Sequence, residues 1–176
     1  MLAAIQRFDE SAMRKVVRWQ REPFLVFFRI LTETGYGHSW FLASAFLWWA
    51  TYQAHWLFLP QQAQLLFAMY APFMCWGVGH GLKKRIRRPR PAHVLDNYTA
   101  RGRTPKDASF PSSHASASVA LFTFLTLVHH PIAAWVGLWS ALLTFSRYYL
   151  GVHYPSDLVG GALLGVLCAV ILYGVA

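Results

Sequence analysis

The sequence predicts an all-α, integral-membrane bundle of about six helices, and three observations lead to this fold class. Hydrophobic residues make up 56% of the 176-residue chain and charged residues only 13%, which lies outside the usual range of soluble proteins. Five apolar runs are each about as long as a tilted membrane-spanning helix. The chain lacks the apolar and polar alternation that is typical of strands. The five runs are 39–59, 63–82, 112–128, 132–150 and 158–176.

The first 34 residues are predicted to form an amphipathic helix and a short membrane-associated helix, ahead of a helical core over 35–176 in the same single domain. Between residues 2 and 19 the apolar residues recur at spacings of three and four, with cations on the opposite face. Such a helix either lies on the membrane surface or packs against the body of the protein. The next apolar stretch, 24–31, is too short to cross a hydrocarbon core of roughly 30 Å unaided, so a crossing over 23–34 is left open. The apolar stripe of the first helix comprises Leu2, Ile5, Phe8, Ala12, Val16 and Trp19.

Most of the positive charge of the chain lies in one connection. Residues 83–110 contain nine cations and two acids, and so carry +7 of the formal net charge of +9. Successive membrane helices alternate in direction, so this connection lies on the same side of the membrane as two other segments. These are the start of the third run and the connection between the fourth and fifth runs. We expect an anionic ligand on this side.

The connection between the fourth and fifth runs contains a candidate catalytic pair. Asp157 is the last acidic residue of the chain, and a carboxylate at the mouth of a membrane span is costly unless it is paired. Its nearest partner is His153. Gly151 is suited to ending the fourth helix and Pro155 to beginning the fifth, which would turn Asp157 back toward His153. A carboxylate bound to one imidazole nitrogen leaves the other nitrogen free as a base or nucleophile.

A second candidate group lies at the start of the third run. His114 falls in the first turn of this helix, where unpaired N–H groups and the helix dipole favour an anion. The hydroxyl groups of Ser112 and Ser113 add further hydrogen-bond donors. Two histidines, one of them oriented by a carboxylate, together with these donors fit phosphoryl transfer without a metal. The cations expected beside this phosphate seat are Lys83, Arg90 and Arg147.

These segments resemble the three-part signature of the type 2 phosphatidic acid phosphatase (PAP2) superfamily. The first part, Lys, six residues, Arg-Pro, is matched by Lys83 and the pair at 90–91. The second, Pro-Ser-Gly-His, is matched at 111–114, and the third, Ser-Arg, five residues, His, three residues, Asp, at 146–157. The one departure is Ser113, which stands where the family usually has glycine. Its added side chain narrows the expected phosphate seat.

The resemblance implies a bacterial lipid phosphatase that needs neither a metal nor another cofactor. It implies that His153 attacks phosphorus to form a phosphohistidine and that Asp157 holds His153 in place. It also implies that His114 protonates the leaving lipid oxygen and then activates water. The substrate would be phosphatidate, phosphatidylglycerophosphate, an isoprenoid diphosphate such as undecaprenyl diphosphate, or a lipid A phosphate. The residues implied to hold the phosphoryl oxygens are Lys83, Arg90, Ser112, Ser113 and Arg147.

Several other readings of the same residues remain open. A lipid phosphotransferase would pass the phosphoryl group to a second lipid, and a protein without turnover would only bind anionic lipids. Soluble vanadate-dependent haloperoxidases belong to the same superfamily, and the membrane spans argue against that reading. A divalent metal bound by both histidines and Asp157 is disfavoured, because the surrounding +7 repels cations. Four further cations are expected to contact lipid head groups only, and these are Lys84, Arg85, Arg87 and Arg88.

Two arguments about sidedness conflict. The positive-inside rule places residues 83–106 in the cytoplasm, whereas the resemblance to bacterial proteins implies a periplasmic site. The positive-inside rule has less weight here if some of these cations bind substrate or lipid head groups, and a crossing over 23–34 would place the N-terminal cations inside. We therefore expect the bacterial inner membrane with the site on the periplasmic side. The expected partners are the bilayer and a lipid with a phosphate head group, with no nucleic acid, and the oligomeric state is left open.

Two sets of small residues are expected to serve packing. Cys75 and Cys168 lie alone in apolar runs, which indicates buried core residues and not a disulfide or metal site. The glycines at 160, 161 and 165, and the small residues at 113–118, are expected to let the third and fifth helical runs approach closely.

Overall fold

The computed structural model describes residues 2–53 and 59–175, and this part of the chain is helical without strands. The predicted end of the first run, at 54–59, falls mostly on residues 54–58, which lie outside the described ranges. The all-α prediction is confirmed, with seven longer helices and one single turn. The helices are α1 (Leu2–Trp19), α2 (Glu22–Glu33), α3 (Gly37–Gln53), α4 (Leu59–Ile86), α5 (Pro91–Val94), α6 (Ser113–Leu127), α7 (Ala133–Tyr149) and α8 (Pro155–Tyr173).

Helix α6 is the centre of the bundle and packs against α4, α7 and α8. Its closest neighbour is α8, because glycines on α8 allow the two backbones to meet. A Cβ atom added at Gly161 would lie 2.6 Å from the carbonyl oxygen of Ser112, and one at Gly165 would lie 2.5 Å from that of Ser116. The predicted close approach of these helices is confirmed. Cys75 and Cys168 are buried and free, as predicted, and pack in one apolar cluster beneath the site.

The predicted runs are helical where the structure describes them, and within residues 2–53 and 59–175 one of them has both the length and the hydropathy of a membrane span. Among the described helices, only α8 combines the length, 19 residues, with a sustained mean hydropathy of 2.0. Helix α6 is apolar but has 15 residues, because the predicted run of 112–128 also included its N-cap, Ser112, and its C-cap, Val128. Helix α4 is longer than predicted and continues through Lys83–Arg85. Lysine and arginine are good helix formers and are favoured at a helix C-terminus.

The N-terminal helices adopt a different arrangement from the one that the apolar stripe suggested. The stripe residues Phe8 and Trp19 are each 64% exposed, and of the stripe Val16 is fully buried, together with Asp9 and Met13, which lie outside it. The buried face of α1 therefore overlaps only one edge of the predicted stripe, and it packs against α7 and α8. Helix α2 has 12 residues and packs on α7. Its length of about 18 Å is shorter than the hydrocarbon core of a bilayer.

Candidate active site

One cavity of about 360 Å³ brings together the sequence motifs. Both predicted histidines line it, whereas Asp157 and Ser112 lie behind its wall. Residues far apart in the chain therefore meet at one end of the bundle, as the alternation of helix directions predicts. The polar side chains that line the cavity are Tyr36, Lys83, Arg90, Asp107, Ser113, His114, Arg147 and His153. Aromatic residues of α3 and α4 form much of the remaining wall, and these are Trp40, Phe41, Phe73 and Trp76.

His153 lies between an acid and a cation that together define its tautomer. Its Nε2 atom is 3.1 Å from Nη1 of Arg90, and its Nδ1 atom is 3.4 Å from Oδ2 of Asp157. A guanidinium group can only donate, so Nε2 must accept and Nδ1 carries the proton. Burial, followed by the charges of Arg90 and Arg147, holds the pKa of His153 well below its usual range. The imidazole is therefore neutral at neutral pH, with the Nε2 lone pair directed toward the cations.

Asp157 is positioned by the start of α8. Pro155 occupies the first turn, and the backbone N–H of Tyr154 donates to Oδ2 of Asp157 at 3.0 Å. Gly151 ends α7 with a φ of +76°, a conformation that glycine adopts without strain. The predicted turn of Asp157 back toward His153 is confirmed.

Asp107 joins the two cations of the first motif. Nζ of Lys83 donates to Oδ2 of Asp107 at 2.6 Å, and Nη2 of Arg90 donates to Oδ1 at 2.7 Å. Partial burial tends to raise the pKa of Asp107, but the hydrogen bonds from Lys83 and Arg90 outweigh burial and lower this pKa below its usual value. The carboxylate is thus charged and fixes both cations at the cavity wall. The sequence interpretation counted Asp107 as an acid but assigned it no role.

The N-terminus of α6 forms another side of the cavity. Ser112 is its N-cap and accepts from the backbone N–H of Ala115 at 3.5 Å. The backbone N–H of Ser112 donates to the carbonyl oxygen of Asp157 at 3.1 Å, which ties the starts of α6 and α8 together. Nε2 of His114 is buried without a hydrogen-bond partner among the described residues. It is therefore available to a ligand.

Arg147 of α7 completes the cationic lining from a fully buried position. Its Nη1 atom donates to the hydroxyl of Thr32, on α2. Its guanidinium lies 6.0 Å from the ring of Tyr36, which also contacts His114 edge to face at 4.8 Å. Sequence reasoning missed Thr32 and Tyr36, since neither belongs to a motif or follows a helical pattern that points to the site.

The expectation that Arg88 contacts lipid head groups only was wrong. Its guanidinium lies 2.7 Å from Oδ1 of Asp157, 2.6 Å from Oδ2 of Asp9 and 4.2 Å from the centre of the Tyr154 ring. Arg87 directly follows α4 and has a left-handed backbone conformation, with a φ of +51°, so the chain leaves the helix before Arg88. Arg88 is therefore partly buried, whereas Lys84, Arg85 and Arg87 are exposed.

The buried acid of α1 was also missed, although the sequence contained a signal for it. Asp9 lies four residues before Met13 and seven before Val16, a spacing that places all three on one helical face. If this face had been predicted to be buried, Asp9 would have been recognised as a buried acid that requires a charged or hydrogen-bonding partner.

The donor set of the cavity is suited to an anion. Lys83, Arg90 and Arg147 contribute three positive charges against the single charge of Asp107. Within residues 2–53 and 59–175, no three His, Cys, Asp or Glu side chains are grouped so as to hold a metal ion. A phosphoryl group is an appropriate ligand, because its oxygens accept from guanidinium, ammonium and helix N–H donors.

Comparisons with known proteins identify the fold. The sequence model of the PAP2 superfamily matches residues 61–176. A solved structure of Aquifex aeolicus LpxE is similar with a TM-score of 0.74 and 26% identity, over 94% of each chain. The transmembrane PAP2 type phosphatidylglycerolphosphate phosphatase of Bacillus subtilis is similar in fold with a TM-score of 0.77 and 20% identity. That similarity covers 98% of this chain and 86% of the other.

The curated relatives are similar to this chain over shorter segments than the solved structures are. The lipid A 4'-phosphatase of Bacteroides thetaiotaomicron is 34% identical over 100 residues, which cover 54% of this chain and 44% of that protein. The chain spans less than two thirds of the length of this and the next curated relatives. The family match covers more than half of the chain and includes all three motifs and every charged residue that lines the cavity. The chain is therefore an integral-membrane member of the PAP2 superfamily.

Proposed function

We propose that this protein is a metal-independent phosphatase of membrane lipid phosphates or diphosphates that works through a phosphohistidine at His153. The observation that carries this proposal is the environment of the His153 ring. Asp157 contacts the protonated Nδ1, while the Nε2 lone pair faces Arg90 at 3.1 Å. An unprotonated nitrogen beside a cationic anion seat is the arrangement that nucleophilic attack on a phosphoryl group requires.

The first step forms the phosphoenzyme. The phosphoryl oxygens bind Lys83, Arg90, Arg147 and the N-terminus of α6, where Ser112 and Ser113 lie. The Nε2 lone pair of His153 forms a bond to phosphorus as the bond from phosphorus to the lipid oxygen breaks. His114 delivers a proton to that oxygen, and the negative charge of the substrate favours the protonated form of His114. Proton transfer of this kind is typically worth about 10² to 10⁴ in rate.

The second step returns the enzyme to its starting state. His114 takes a proton from a water molecule as the water oxygen attacks phosphorus. The bond between phosphorus and Nε2 breaks, phosphate leaves, and His153 is again neutral. During both steps Asp157 faces the Nδ1 proton and stabilises the positive charge that develops on the ring.

The walls of the cavity favour a lipid substrate. Phe41 and Trp76 line the cavity and are 67% and 62% exposed, so its aromatic side is continuous with the membrane-facing surface. An acyl or isoprenoid chain would contact these rings while the phosphate reaches the cations. We propose a phosphatidate, phosphatidylglycerophosphate, undecaprenyl diphosphate or a lipid A phosphate as substrate. The lipid A 4'-phosphatase name of one relative supports this class. We place the protein in the bacterial inner membrane with the site on the periplasmic side.

The test is phosphate release from these four lipids by protein purified in detergent, with EDTA present. We expect release from at least one lipid, and its loss in His153→Ala. His130→Ala, at a half-buried histidine in the turn between α6 and α7, should retain full activity. Full activity of His153→Ala would contradict the nucleophile, and activity that required Mg²⁺ would contradict the metal-free mechanism. Phosphorylated acceptor lipid in place of free phosphate would identify a transferase.

A further inference from the structure

The N-terminal helix α1 contributes a buried acid to the cluster behind His153. Asp9 has no exposed surface and lies almost 150 residues from the start of α8. Its Oδ1 atom accepts from the backbone N–H of Ser156 at 3.1 Å, and its Oδ2 atom accepts from the Ser156 hydroxyl. The first N–H groups of a helix have no partners within the helix. Asp9 therefore caps α8 from another helix, in the turn that contains Asp157.

The same carboxylate holds one half of the Arg88 guanidinium. Nη2 of Arg88 donates to Oδ2 of Asp9 at 2.6 Å, while Nη1 donates to Oδ1 of Asp157 at 2.7 Å. One guanidinium is thus shared between two carboxylates. Oδ2 of Asp157 is left to the Tyr154 N–H and to Nδ1 of His153.

This division matters because arginine and a carboxylate prefer to pair through two parallel hydrogen bonds. If Nη2 were released, Arg88 would be free to bind both oxygens of Asp157. Its charge would then compete for Oδ2, the oxygen that contacts His153. With Asp9 in place, the carboxylates of Asp9 and Asp157 and the guanidinium of Arg88 together carry a net charge of −1 beside the His153 ring.

Attachment of α1 to the membrane does not by itself account for Asp9. The exposed apolar residues of α1, which include Phe8 and Trp19, are suited to a membrane surface, whereas Asp9 is fully buried. A buried carboxylate is costly unless its charge is paired and its oxygens are hydrogen bonded. Both oxygens of Asp9 are directed to groups that flank Asp157, so the contact is specific to this end of α8.

We propose that Asp9, acting through Arg88 and the first turn of α8, is a positioning residue that keeps Asp157 directed toward His153. This inference rests on the proposed function of His153. It makes α1, which lies outside the region that matches the family, part of the catalytic apparatus. The reaction would depend on α1 being docked, and not on the bundle of α4, α6, α7 and α8 alone.

The test compares Asp9→Asn with Glu10→Gln. Glu10 is the next residue of α1, and its carboxylate accepts from the Gln6 side chain instead. Turnover of the active lipid and inhibition by inorganic phosphate are measured per folded protein, with the folded fraction taken from size-exclusion chromatography. We expect kcat of Asp9→Asn to fall about 10- to 100-fold, by analogy with the loss of residues that orient metal ligands through a second hydrogen bond. The inhibition constant of phosphate should stay within about twofold, because Lys83, Arg90 and Arg147 are unchanged. Glu10→Gln should match the wild type in both.

A purely structural role of Asp9 would give a different result. If Asp9→Asn retains wild-type kcat, or if kcat and phosphate affinity weaken together, the inference is overturned. If this variant does not fold, Arg88→Lys is decisive, because one ammonium group cannot bridge both carboxylates in this geometry. Wild-type kcat in Arg88→Lys would also overturn the inference. A wild-type protein that releases no phosphate would instead refute the proposed function.

Discussion

The contact between α6 and α8 makes the phosphate seat sensitive to a single methyl group. In Gly161→Ala the new Cβ atom would lie 2.6 Å from the carbonyl oxygen of Ser112 and 3.0 Å from Cβ of Ala115. Ser112 is the N-cap of α6, and its N–H is bonded to the carbonyl oxygen of Asp157. The added atom therefore pushes on the backbone that joins the two halves of the site.

The size of the effect follows from these distances. Ordinary contacts of a Cβ atom begin at 3.4 Å, so the two helices must separate by about 0.8 Å at this position. Overpacking of this kind costs about 1 to 3 kcal/mol, offset by about 1 kcal/mol from the higher helix propensity of alanine. We expect a net loss of about 1 kcal/mol in the free energy of unfolding. A displacement near 1 Å at a catalytic site can cost about 10² in rate, so kcat/KM should fall about 100-fold.

The assay measures kcat/KM for the active lipid and thermal unfolding in the same detergent. Gly77→Ala is the matched control, because a Cβ atom at this exposed position of α4 has no neighbour within 4 Å. The control should keep wild-type kcat/KM and gain up to about 1 kcal/mol of stability. If Gly161→Ala keeps kcat/KM within about twofold, the close approach of α6 and α8 does not position the site and the reasoning fails.

Two further predictions concern charges at the site. Asp107→Asn removes the acid that neutralises Lys83 and Arg90. A unit charge at about 6 Å and an effective dielectric constant near 20 contributes about 3 kcal/mol. Because Asp107 is 43% exposed, solvent screens this interaction, and we expect phosphate to inhibit Asp107→Asn only about tenfold more strongly than the wild type. The stability of the variant without phosphate should fall. Unchanged inhibition by phosphate would contradict this role of Asp107. Burial holds the pKa of His153 in the folded protein well below the value of about 6.5 that a histidine has in an unfolded chain. Below about pH 6.5 the unfolded chain therefore binds a proton at His153 that the folded protein does not bind. Stability should therefore decline as pH falls below about 6.5, and thermal unfolding of His153→Gln should show a shallower decline; an identical pH dependence would refute this assignment.

The candidate site could be predicted because its residues lie in short segments with fixed spacings. Lys83 with Arg90, the 111–114 segment, and Arg147 with His153 and Asp157 each form a local pattern, and alternation of helix direction predicts that they meet. The structure brings most of them to one cavity, and Asp157, which does not line it, contacts His153. Helix lengths were less predictable, because hydropathy does not separate the last turn of a helix from the apolar residues that follow it. The predicted 112–128 run and the observed Ser113–Leu127 differ in this way.

The sequence by itself determined the helical class of this protein, the side of the bundle where charge collects, and the motif residues of the candidate site. Composition and local spacing suffice for these, since each depends on residues that are close in the chain. Only the tertiary structure decided the partners of the buried charges. Asp9 pairs with Arg88 across 79 residues and Asp107 joins Lys83 to Arg90. These pairings depend on how the helices pack and on the course of the chain after α4. The sequence suggested that Arg88 is exposed to solvent or lipid head groups, but the tertiary structure places its guanidinium between the carboxylates of Asp9 and Asp157.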